Sequence, residues 1–110
     1  MFPWDGALKS VRSTDAYSKK DVETILRKAT SLGLDVIPLV QTFGHLEWIL
    51  KYEKFRRFRE NDKYPQVICI GDQEAVKFVK EAVRQVAVVH KPFGLKYFHI
   101  GADEAFEVCY

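Results

Sequence analysis

The chain has 110 residues, 47% hydrophobic and 14% aromatic, enough for one domain with an apolar core and too few for more. Seventeen Lys and Arg against fifteen Asp and Glu leave a net charge of +2, too small a bias to imply nucleic acid or an anionic membrane as a partner. No run approaches the roughly 18 apolar residues of a membrane span, no basic and apolar leader is apparent, and Cys69 and Cys109 have neither a CxxC spacing nor a disulfide-dense context, so reduced thiols in a cytosol-like compartment are expected.

In chain order, Ser18 with Asp21 three residues on forms a helix N-terminal signature, and Val22, Ile25, Leu26, Ala29 and Leu32 recur at helical spacing until Gly33. Val36-Ile37-Pro38-Leu39-Val40 follows, a short β-branched run expected to be a strand buried on both faces, although Pro38 cannot donate to a ladder. Leu46, Ile49, Leu50 and Phe55 predict a second helix from Leu46 to about Phe58, its polar side carrying Lys51, Lys54, Arg56, Arg57 and Arg59. Tyr64 to Ile70 is ambiguous between irregular chain and a short strand, and Gly71-Asp72 reads as a turn and helix cap. A third helix is predicted from Gln73 to His90, with Val76, Val79, Val83 and Val86 on one face and Pro92 as its stop. Leu95 to Ile100 is then a strand. Alternating strands and helices imply parallel pairing with right-handed crossovers, in either a doubly wound α/β sheet or a piece of a (β/α)8 barrel.

The last strand runs into His99-Ile100-Gly101-Ala102-Asp103-Glu104, which puts two adjacent carboxyl groups at its C-terminal end, where α/β proteins gather ligands and catalytic groups. An Asp-Glu pair on its own is more often a solvated loop, and His45 or His99 on its own a hydrogen-bonded structural residue. His99, Asp103 and Glu104 could ligate a divalent cation, but no HExxH or paired-histidine spacing supports that, so no metal is expected. The basic stretch Lys51 to Arg59, interleaved with Tyr52, Phe55 and Phe58, is diluted by Glu53 and Glu60 and is explained by an exposed amphipathic helix.

The His-x-Gly-x-Asp-Glu run resembles the catalytic motif of family 20 glycoside hydrolases, the β-N-acetylhexosaminidases, and Leu39-Val40-Gln41-Thr42-Phe43-Gly44-His45 resembles the hexosaminidase D branch of that family. Met1-Phe2-Pro3-Trp4 resembles the end of the preceding barrel strand. The resemblance covers essentially the whole chain, residues 1–110, as a partial catalytic domain. It implies an α/β fold that is a partial (β/α)8 TIM barrel, running from about the end of strand two through strand four. It also implies no cofactor and an intracellular setting, cytoplasmic or nuclear.

Glycoside cleavage needs a proton for the leaving oxygen and stabilisation of positive charge at the anomeric carbon. By the resemblance Glu104 is the general acid and base, and partial desolvation together with the adjacent negative Asp103 would favour its protonated form. In this family the nucleophile is the substrate's own acetamido oxygen, and Asp103 would orient and stabilise the acetamido group. His45, preceded by Phe43-Gly44 where many members carry Pro-Gly, would support the acid and the sugar. His99 would lie beneath the acids, and Trp4 and Asp5 would border the sugar. The implied partner is a glycan ending in N-acetylhexosamine. Three readings follow: a retaining hexosaminidase, a truncated and inactive barrel segment that needs a second copy or the rest of the barrel, and a small αβ binding module with an acidic cleft.

Overall fold

The structure, a computed structural model, describes residues 2–108; Met1 of the Met1-to-Trp4 stretch, Cys109 and Tyr110 lie outside the described residues. The chain divides into two compact units, Met1–Leu39 with Ala82–His99, and Val40–Glu81 with Ile100–Tyr110.

In the first unit a 3-10 turn, Gly6–Val11, begins where the Asp5 carboxylate accepts the Gly6 N–H at 2.8 Å, and it buries Leu8 and Val11. Helix α1, Lys19–Ser31, has the expected capping box: the Ser18 hydroxyl accepts the Asp21 N–H and Asp21 accepts the Ser18 N–H, which satisfies two otherwise orphaned donors. Its buried contact is Leu26, while Ile25 is exposed. Gly33, at φ 76°, takes the left-handed conformation that ends the helix.

The segment predicted as the next strand is extended, and Leu39 pairs with His99 in a parallel bridge in which the His99 N–H donates to the Pro38 carbonyl at 2.9 Å. Pro38 therefore sits where it needs only to accept. Burial on both faces is not observed. Pro38 is buried but Ile37 and Leu39 are 55% and 52% exposed, because alternate residues of an extended chain face opposite sides and one side is uncovered.

In the second unit the predicted helix from Leu46 to Phe58 is instead α2, Glu47–Leu50, followed by a 3-10 helix, Glu53–Phe58. The reason lies in the aromatics. A 3-10 helix eclipses residues three apart, so Phe55 and Phe58 stack with each other and both meet Phe78, at centroid distances of 4.5 and 5.9 Å. The ambiguous segment is a strand, β2, Tyr64–Ile68, paired antiparallel with β1, Arg59–Asn61. The Asn61 side chain accepts the Lys63 N–H at 3.0 Å in the turn, and the Arg59 guanidinium donates to the Leu50 and Asp62 carbonyls, tying the hairpin to the end of α2.

Helix α3, Gln73–His90, spans the predicted residues, its first half in the second unit and its second half in the first. Asp72 caps it by accepting the Glu74 and Ala75 N–H groups. Its most buried stripe is Ala75, Val79, Ala82 and Val86, so two of the four expected valines share the buried face with alanines. Among the described residues no helix is long and apolar enough to cross a membrane.

Candidate active site

The second unit brings together three of the residues singled out in the sequence. His45 Nε2 lies 3.1 Å from Glu104 Oε2 and 3.7 Å from Asp103 Oδ2. One ligating atom from each of the three falls within 4.8 Å of the others, a spacing at which these residues could also hold a divalent cation. Trp4, Asp5 and His99 belong to the first unit. There Trp4 is half-buried with its ring 4.7 Å from that of Phe2, His99 is exposed and pairs through its backbone with Pro38 and Leu39, and Asp5 caps the 3-10 turn and pairs with Lys19 at 3.4 Å.

Backbone geometry builds the cluster. His45 and Glu104, at φ 56° and 46°, both occupy the left-handed region that side-chain-bearing residues avoid, and such strain gathers at functional sites. The chain on either side of His45 is held by β2: the Ile68 N–H donates to the Phe43 carbonyl at 3.3 Å and the Leu46 N–H to the Gln66 carbonyl at 2.9 Å. Gly44 lies against the carbonyls of Asp103 and Glu104, leaving no room for a Cβ. Gly101, at φ 51°, is closed in the same way by the Gln41 side chain.

Gln41 stands within the Leu39-to-His45 motif, which by itself assigns it no role. With its amide oriented by its neighbours, Nε2 donates to Asp103 Oδ1 at 3.1 Å and to the Gly101 carbonyl. The Thr42 N–H donates to that same carbonyl. One oxygen of Asp103 is thereby anchored and the other is turned toward His45. Gln66 makes a long contact, 3.5 Å, from its side-chain nitrogen to the Glu104 carbonyl. A polar residue three positions before a Gly-His pair was the only sequence signal for Gln41, and nothing in the spacing marked Gln66.

The His45–Glu104 bond suits a group that must both give and take a proton. A neutral imidazole can donate from Nε2 to a carboxylate, and an unprotonated Nε2 can accept from a carboxylic acid, at the same separation. Glu104 is 63% exposed, so the desolvation expected of the acid is not supplied by the described residues.

With this geometry in place, comparison with known proteins is decisive for the family. The profile for glycosyl hydrolase family 20, catalytic domain, matches residues 5–110. The chain belongs to glycosyl hydrolase family 20. Hexosaminidase D of Bos taurus is 40% identical over 106 residues, which are 96% of this chain and 30% of that protein. Hexosaminidase D of Homo sapiens is 39% identical over 106 residues, 96% of this chain and 21% of that protein. The lacto-N-biosidase of Bifidobacterium bifidum is 33% identical over 104 residues, 93% of this chain and 9% of that protein. The family 20 chain thus spans less than a third of the length of these curated relatives. Membership implies the TIM-barrel architecture of the family's catalytic domain, of which the described residues show mixed helices and strands, an antiparallel hairpin and one parallel bridge.

Proposed function

We propose that the chain carries the acid/base centre of a β-N-acetylhexosaminidase that removes terminal N-acetylhexosamine from glycans with retention of configuration. The observation that carries this reading is the approach of Glu104, Asp103 and His45, with Asp103 anchored by Gln41. Glu104 protonates the leaving oxygen while the substrate's acetamido oxygen attacks the anomeric carbon. The bond to the leaving group breaks and a cyclic oxazolinium forms. Asp103, accepting from Gln41, also accepts a hydrogen bond from the acetamido N–H and stabilises the positive charge that develops. Glu104, now a carboxylate, then removes a proton from water as that water opens the ring, and so is restored as the acid. His45 holds the Glu104 carboxyl in position through both steps.

The test is hydrolysis of aryl N-acetyl-β-galactosaminide and N-acetyl-β-glucosaminide by the purified chain and by Glu104→Gln. Activity that falls by about 10²–10⁴ in the variant supports the reading; activity equal in both removes it.

A second reading, that the segment becomes active only with further barrel strands or with another copy, is favoured by the exposure of Ile37, Leu39 and Tyr97 at 55%, 52% and 66%. On this reading the chain represents about the end of barrel strand two through strand four. Folded protein without hydrolysis, gaining activity on association, is its mark.

A further inference from the structure

The second unit contains a cleft of about 300 Å³, at the lower end of the ~300–1,000 Å³ range of small-molecule sites. The hairpin lines it with Asn61, Tyr64 and Gln66, α2 with Glu47, and the chain following the acid pair with Phe106 and Glu107. It adjoins the acid: Gln66 contacts the Glu104 carbonyl, and Phe106 stands two residues beyond Glu104.

The lining has a definite chemistry. Tyr64 and Phe106 are 53% and 59% exposed, and uncovered aromatic rings at a cleft suit the apolar C–H face of a pyranose. Asn61 and Gln66 offer amide donors and acceptors, and Glu47 and Glu107 offer carboxylate acceptors for hydroxyl groups. None of the lining residues is cationic, so a phosphate, a uronate or a sialic acid would meet two carboxylates and no counter-charge. Glu107 is also held in place: its backbone is left-handed, φ 59°, and Asn61 Nδ2 donates to its carboxylate at 3.2 Å.

We propose that this cleft binds an uncharged sugar ring, the residue on the leaving side of the bond that Glu104 protonates. The leaving-side placement rests on the hydrolase reading above; the cleft's preference for a neutral sugar does not.

The test is a titration of the isotope-labelled full chain with methyl β-D-galactopyranoside, and separately with glucuronate, followed by backbone amide NMR. Saturable shifts confined to the cleft residues are expected, with glucuronate binding at least about tenfold more weakly. Tyr64→Ala and Phe106→Ala, each checked for a folded amide spectrum, should each weaken binding by about tenfold. A spectrum without dispersion, no saturable shift, shifts elsewhere, or binding untouched by both variants overturns the cleft. Binding without hydrolysis of any N-acetylhexosaminide, and with no activity gained on association, leaves the cleft and removes the leaving-side placement together with the hydrolase reading. Hydrolysis without cleft binding removes the cleft alone. In an active chain, Tyr64→Ala should raise KM for an N-acetylhexosaminyl-galactoside about tenfold more than for the aryl glycoside; an equal change in both overturns the placement.

Discussion

A Cβ on Gly44 would stand 2.8 Å from the Glu104 carbonyl oxygen, with the Asp103 carbonyl closer still. Both neighbours are backbone atoms, which cannot swing aside as a flexible side chain would. Gly44→Ala must therefore push the acid-bearing chain away from the loop before His45. The expected cost is about 1–3 kcal/mol of stability, read as a lower urea midpoint with an unchanged slope, together with loss of whatever hydrolysis the wild-type chain shows.

His45→Ala separates support of the acid from support of the fold. The two side chains are 37% and 63% exposed, so stability should change by no more than about 0.5 kcal/mol. Hydrolysis should nonetheless fall at least about tenfold, as expected when a hydrogen bond to a charged group is lost. Equal thermal midpoints with unchanged kcat/KM would deny His45 this part.

Gln41→Leu removes the amide donor while keeping most of the volume beside Gly101. Asp103 then loses the anchor on Oδ1, and kcat/KM for an aryl N-acetylhexosaminide should drop by about ten- to a hundredfold. Gln41→Glu should be worse, since it sets a second carboxylate against Asp103 and the Gly101 carbonyl. A variant as active as wild type would show that Asp103 needs no anchor.

The acid limb of the stability curve has an identifiable contributor in Asp21. Hydrogen bonds from the Ser18 hydroxyl and backbone hold its carboxyl below the ordinary value of 3.8. A lowered value in the folded state means stabilisation that is complete above 3.8 and lost as pH falls below it through the folded value. Thermal unfolding followed on acidification should show a steeper loss for wild type than for Asp21→Asn. Parallel curves would remove Asp21 as a contributor.

Phe55→Ala opens the cluster that Phe55, Phe58 and Phe78 form. Phe55 is 3% exposed, and its truncation should cost about 3–5 kcal/mol. Chemical denaturation measures this directly, and a cost near zero would mean that the cluster is not a core.

Much of the architecture could be read from residue order because its signals are local. Ser18 and Asp21 started α1, Gly33 ended it, and Asp72 and Pro92 bracketed α3. The β1–β2 hairpin escaped because its strands are three and five residues long, one contains Pro65, and its turn is marked chiefly by Asn61. The second helix broke because the aromatic cluster favours the three-residue repeat of a 3-10 turn. The acids and His45 were legible through their motifs. Gln41 was not, because its part depends on which way an amide faces and on a neighbouring glycine without a side chain. Gln66, Tyr64 and Phe106 come together only through the hairpin, and no sequence spacing foretells that.

The two backbone hydrogen bonds by which β2 grips the chain on either side of His45 tie the movement of this histidine to that of the strand. Fraying of the Tyr64–Ile68 strand releases Phe43 and Leu46 together, and His45 with them. In hydrogen–deuterium exchange the amides of Leu46 and Ile68 should therefore report one shared free energy of opening, and the same opening separates His45 from Glu104.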